Sequence, residues 1–145
     1  GVRPRTTLDE SAGINVDTGI LVDECLQTSV PGIYAAGDVA RWRDKASGQA
    51  LRIEHWVVAE RQGQVTAENL LGANKKFQDV PFFWSVHYDL TINYACHAQS
   101  WDAIEIDGDI AARDCLVRYQ KNGVTIAVAG IGRDKQVLEF AAANA

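Results

Sequence analysis

The segment best equipped for chemistry is Thr28-Ser29-Val30-Pro31-Gly32-Ile33-Tyr34-Ala35-Ala36-Gly37-Asp38. An apolar run bounded by glycines ends on a carboxylate, and open α/β sheets bind ligands at the carboxyl ends of such strands. Ala35, Ala36 and Gly37 carry almost no side chain, so a flat or extended cofactor could lie directly on the backbone. Asp38 can accept hydrogen bonds from ligand hydroxyls, each worth about 1.5–3 kcal/mol when charge-assisted. The same spacing also fits a plain Gly-Asp turn in which Asp38 only caps the next element.

Other reactive types have no productive spacing. Cys25, Cys96 and Cys115 form no C-x-x-C pair, so neither a redox dithiol nor a zinc knuckle is expected. Free thiols point to a reducing, cytoplasmic compartment. Glu54-His55 has no second histidine four residues on, and His87 and His97 fit no metal spacing, so no metal site is expected. No G-x-S-x-G elbow supports a hydrolase built on Asp38 and a histidine. The three rings Phe82-Phe83-Trp84 form an aromatic cluster whose ordinary use is core packing.

The elements that must position these residues follow from pattern. Residues 6–13 read as a short helix with a Thr cap and a Gly stop. Residues 14–23 alternate around Asp17-Thr18-Gly19 as a hairpin, and residues 32–38 read as a strand buried on both faces. Residues 41–52 are polar and expected to be a surface loop. From Ile53 to Leu71 a helix is expected, with positions 53, 56, 57, 63, 67, 70 and 71 on its apolar face and Gly72 as its stop. No Ser, Thr, Asp or Asn precedes it, so its first N–H groups have no obvious cap. Gly130-Ile131-Gly132 reads as a strand end.

Beyond the polar linker Ala73-Asn74-Lys75-Lys76 the composition changes to short β-type runs at 82–88, 90–97, 103–106, 115–120 and 124–131. Turn signals at Asp107-Gly108-Asp109 and Lys121-Asn122-Gly123 separate them, and a helix over 135–142 closes the chain. The reading is an α/β piece over residues 1–76 and a small α+β domain with a meandering antiparallel sheet over 77–145.

Composition bounds the rest. The chain has 145 residues and a formal charge of −5, which argues against a nucleic-acid partner. No apolar run reaches the roughly 18 residues of a membrane span, and no signal-peptide pattern opens the chain. The start at Gly1, without Met, reads as the interior of something longer.

Taken together, Thr28 to Asp38 resembles the second FAD-binding motif of the FAD-dependent pyridine nucleotide oxidoreductases, T-S-x-P-x-I-Y-A-x-G-D. Gly1-Val2-Arg3-Pro4 resembles the segment that ends their NAD(P)H domain. Arg52-Ile53-Glu54-His55-Trp56 and Phe83-Trp84-Ser85-Val86-His87-Tyr88-Asp89 are similar to the ferredoxin reductase and apoptosis-inducing-factor-like branch. The G-x-G-x-x-G fingerprints of that family are missing, so the resemblance is to its last third: the returning part of a Rossmann-like FAD domain, then the reductase C-terminal domain. Cys96 stands where the family usually has glycine.

The resemblance implies FAD as cofactor, NAD(P)H as co-substrate, and an iron–sulfur acceptor of ferredoxin or Rieske type. It implies cofactor contacts at Gly37 and Asp38, at Glu54, His55 and Trp56 where a helix N-terminus meets the flavin, and at Trp84 beside the ring. This segment alone is expected to be inactive, to hold FAD poorly and to self-associate. A cofactor-free dimerisation or docking module is the rival reading.

Overall fold

The computed structural model describes residues 2–45 and 47–145; Ala46 and Gly1, the first residue of the Gly1–Pro4 motif, lie outside the described residues. The chain divides into two units, Gly1–Asp79 and Val80–Ala145.

The first unit opens with α1 (Thr7–Ser11), followed by β1 (Ile20–Leu21), β2 (Ala40–Arg43), β3 (Ala50–Leu51) and α2 (Trp56–Leu70). β1 runs parallel to β2, with Ile20 opposite Ala40, and β2 pairs antiparallel with β3, with Trp42 opposite Leu51. The expected hairpin over 14–23 is reduced to one antiparallel bridge, Val16 to Ile20. Leu21 N still donates to Asn15 O at 3.0 Å, while the other edge of Ile20 and Leu21 pairs with β2.

The expected buried strand over 32–38 is not a strand. It makes one bridge, Gln27 to Tyr34, with hydrogen bonds from Thr28 N to Ile33 O at 2.8 Å and from Ala35 N to Leu26 O at 3.1 Å. Ile33 remains 41% exposed. An apolar run supplies strand periodicity, but a strand also needs a partner along each edge, and only the Leu26–Thr28 side is paired among the described residues. The expected loop over 41–52 is in turn a hairpin. Its alternation buries Trp42 and Leu51, each 2% exposed, while its polar residues face out.

α2 also turns a different face inward from the one expected. Its buried residues are Val58, Gln62, Val65 and Asn69, whereas Trp56, Leu70 and Leu71 are exposed. Asn69 explains part of this. Its Nδ2 donates to the carbonyls of Cys25 and Lys75 at 2.8 Å each, and its Oδ1 accepts from Lys75 N at 2.6 Å. Polar residues that clasp backbone thus occupy the inward face, and hydrophobic periodicity cannot see them. The core beneath joins Leu26, Trp42, Leu51, Ile53, Val58, Val65 and Phe77, with Trp42 and Phe77 edge to face at 5.5 Å. Each such side chain contributes about 1.5–3 kcal/mol of burial free energy.

The second unit is a five-stranded antiparallel sheet in the order β4-β5-β8-β7-β6, built from β4 (Phe82–His87), β5 (Leu90–Cys96), β6 (Ala103–Asp109), β7 (Asp114–Lys121) and β8 (Val124–Ile131). The Asn122-Gly123 turn adopts positive φ at both residues, 52° and 76°, as a tight hairpin requires. The other turn lies later than expected. Gly108 stays in the ladder opposite Cys115, and the chain reverses at 110–113. Gly108 is needed there because the Asp114 carbonyl oxygen occupies the space a Cβ would take. α3 (Asp134–Ala143) covers one sheet face, with Val137 packed on Ala95, Leu116 and Val128. No helix among the described residues is long and apolar enough to cross a membrane.

Candidate functional site

The segment from Thr28 to Asp38 ends in a sharp change of backbone direction. Ala36 is extended at φ −141° and ψ 156°, Gly37 takes φ +81°, and Gly37–Val39 then form one 3₁₀ turn leading into β2. The cap position of that turn is Ala36, not Asp38, so the plain capping reading of Asp38 does not hold. Asp38 is exposed. Gly37 lies against α2: a Cβ on it would stand 3.3 Å from the Ala59 Cβ. Its N–H donates to Gln62 Oε1 at 2.7 Å, a bond buried from solvent.

Arg52 secures the same turn from the other side. Its Nη1 donates to the Asp38 carbonyl oxygen at 2.8 Å, and its Nη2 pairs with Glu54 Oε1 at 2.8 Å. The next residue, His55, is the N-cap of α2 and is extended at φ −149° and ψ 133°. It provides no side-chain cap, as expected from the sequence, so its own side chain does not occupy the first-turn N–H groups. The aligned peptide dipoles place about half a positive charge there. Burial pushes the His55 pKa below its ordinary value, against the smaller opposing pull of the Asp38 carboxylate. The imidazole is therefore neutral at neutral pH, able to donate or accept one hydrogen bond without adding charge. Trp56 is 60% exposed, its ring 6.3 Å from that of His55.

A cleft of about 380 Å³ opens beside this turn, lined by Arg3, Arg5, Ile20, Asp38, Val39 and Arg52 among others. The first unit thus brings Gly37, Asp38, Glu54 and His55 into one neighbourhood. Trp84 belongs to the second unit, on β4 opposite Asn93, where it is 41% exposed with its ring 6.4 Å from Phe82. The sequence reading did not single out Gln62 or Arg5, and it quoted Arg3 and Arg52 only within motifs, with no role of their own. The signal for Gln62 was available: it continues the Val58 to Val65 spacing of α2, but as a polar residue it drops out of an apolar count.

The Pyridine nucleotide-disulphide oxidoreductase family profile matches residues 1–63. The chain is 36% identical to the anthranilate 1,2-dioxygenase system ferredoxin--NAD(+) reductase component of Burkholderia cepacia, over 99% of this chain and 33% of that protein. It is 32% identical to human apoptosis-inducing factor 3, over 97% of this chain and 24% of the relative. The chain belongs to the pyridine nucleotide oxidoreductases of ferredoxin reductase type. Its fold matches the covalent putidaredoxin reductase–putidaredoxin complex with a TM-score of 0.91 and 30% identity, covering 98% of this chain and 34% of that one. The chain therefore spans a quarter to a third of the length of these relatives.

Proposed function

We propose that this chain is the C-terminal part of an FAD-dependent NAD(P)H oxidoreductase that passes electrons to an iron–sulfur protein of ferredoxin or Rieske type. Residues 1–76 are read as the returning segment of the FAD domain and 77–145 as the reductase C-terminal domain. The observation that carries the reading is the exposed carboxylate of Asp38, held in one neighbourhood with the uncapped N-terminus of α2 and the adjoining cleft.

That arrangement fits FAD. Asp38 is exposed, so its carboxylate can accept hydrogen bonds from ribityl hydroxyls, while Gly37, seated on α2, sets the turn that presents it. The N-terminus of α2, with His55 and Trp56, favours an electron-rich ring edge, and Arg52 holds Glu54 in place beside it. For Trp84, in the second unit, the family resemblance is the support for an aromatic contact with flavin. Bound FAD would supply hydride acceptance and single-electron donation, while these residues bind and orient it. The relatives named as ferredoxin reductases, and the reductase captured with putidaredoxin, support the choice of electron acceptor. Cys25 and Cys115 are thiols, which suits a cytoplasmic setting. The exposed side chains of Trp56, Leu70 and Leu71 support self-association of the 145-residue chain when it is produced alone.

Asp38→Ala tests the reading in the full-length flavoprotein carrying this segment. Loss of a charge-assisted hydrogen bond should weaken FAD binding by about 1.5–3 kcal/mol, or roughly 10- to 150-fold. Unchanged flavin occupancy after exhaustive dialysis removes Asp38 from the site. In the same measurement the isolated 145-residue chain should bind FAD weakly and oxidise no NAD(P)H.

A further inference from the structure

The geometry points to Gln62 as a positioning residue that holds the Asp38 carboxylate in place through the Gly37 amide. This rests on the FAD reading of the site given above. Gln62 is completely buried in the middle of α2, between Val58 and Val65 on the inward face. A leucine or methionine would fill that space without bringing two amide groups out of water. The carboxamide there makes one hydrogen bond, from Gly37 N–H to Oε1 at 2.7 Å, linking residues 25 positions apart. Its Nε2 is buried with no hydrogen-bond partner among the described residues. A half-satisfied amide is disfavoured in a core, so its retention needs a use, and the one bond it makes falls on the residue before Asp38.

The surrounding geometry explains why that bond matters. Residues 33–36 make one bridge, and its last bond, Ala35 N to Leu26 O at 3.1 Å, stops two residues short of the turn among the described residues. Gly37 at φ +81° is the point where the chain changes direction, and Asp38 follows it directly. Two hydrogen bonds act on the turn itself. Arg52 holds the Asp38 carbonyl oxygen at 2.8 Å, and Gln62 holds the Gly37 amide from inside. Together they hold the peptide before Gly37 and the peptide after Asp38, and so bracket the Cα atom that carries the carboxylate. Gln62 touches no ligand on this account; it acts through Gly37 and Asp38.

The test is a double-mutant cycle in the full-length flavoprotein, with Gln62→Met and Asp38→Ala singly and together, reading the FAD dissociation constant by titration of the apoprotein. Gln62→Met keeps volume and removes the acceptor, and should weaken FAD about tenfold in the parent but less than about twofold once Asp38 is alanine. Gln62→Glu keeps an acceptor oxygen and should stay within about threefold of the parent. In the 145-residue chain without FAD, Gln62→Met should speed exchange of the Gly37 amide about tenfold. Equal losses in both Asp38 backgrounds, or a lower unfolding temperature with FAD affinity intact, would make Gln62 a packing residue and overturn the inference. Unchanged exchange at Gly37 would overturn it as well. If Gln62→Met does not fold, Gln62→Glu decides, and a tenfold loss there overturns it. If Asp38→Ala alone leaves FAD affinity unchanged, the FAD reading fails, and this inference with it.

Discussion

Gly32 and Gly37 offer a matched pair of perturbations, because their backbones are nearly the same and their surroundings are not. Their φ angles are +80° and +81°, both in the region that L side chains avoid. At Gly32 an added Cβ meets nothing within 4 Å, whereas at Gly37 it stands 3.3 Å from the Ala59 Cβ on α2. Gly32→Ala therefore bears only the conformational cost, about 1–2 kcal/mol. A gain of about 0.4–1 kcal/mol from a stiffer unfolded chain offsets part of it, leaving a net loss of about 1 kcal/mol. Gly37→Ala bears the same cost plus overpacking of a buried site, worth about 1–3 kcal/mol, for a total near 2–4 kcal/mol. Urea denaturation of the 145-residue chain, followed by near-ultraviolet circular dichroism, measures both. In an Ala59→Gly background the excess should vanish, even though that glycine itself costs the helix about 1 kcal/mol. Two equally destabilised variants, or an excess that survives Ala59→Gly, would refute the claim that the turn is seated on α2.

Titration of the His55 ring by NMR should give a pKa below about 6.5, and Asp38→Asn should lower it further, because the Asp38 charge pulls it upward. The unfolded chain then takes up the proton first, so stability falls as pH drops from about 6.5 toward the folded pKa; a His55→Gln variant with the same pH dependence would contradict this. Cys96 closes β5 at φ +64°, so Cys96→Gly should raise the thermal midpoint, relieving about 1–2 kcal/mol of strain against roughly 0.5–1 kcal/mol of added chain entropy. A lower midpoint would mean that the thiol packing outweighs the strain. Trp42→Ala should cost the first unit about 3–5 kcal/mol in urea denaturation, since the ring is 2% exposed and packs edge to face on Phe77; a loss under 1 kcal/mol would show that the hairpin core is not built around it.

Local chemistry was legible wherever its cause lies within a few residues. The Asn122-Gly123 turn, the five strands of the second unit and the uncapped start of α2 are set by φ preferences, side-chain alternation and the absence of a capping residue. The family resemblance, rather than local chemistry, marked Cys96 as occupying a glycine position, and its positive φ gives the reason. Asp38 after Gly37 could be marked as a candidate ligand-binding carboxylate, with a plain turn as the alternative, and the structure exposes it.

What needed the tertiary structure were the choices between equivalent local options. Residues 32–38 have the pattern of a buried strand, yet whether an apolar run becomes one depends on a partner for each edge, and here only one side is paired among the described residues. Gly108 reads as a turn, but the ladder to β7 continues past it because two backbones approach too closely for any Cβ. The inward face of α2 was decided by Gln62 and Asn69, whose amides are costly to bury until Gly37, Cys25 and Lys75 arrive to bond them. Residue types and spacing along 145 positions thus determined which groups could bind a ligand. Long-range pairing of backbone with buried amides decided where those groups stand, because the free energy of such a bond exists only once both partners have left water.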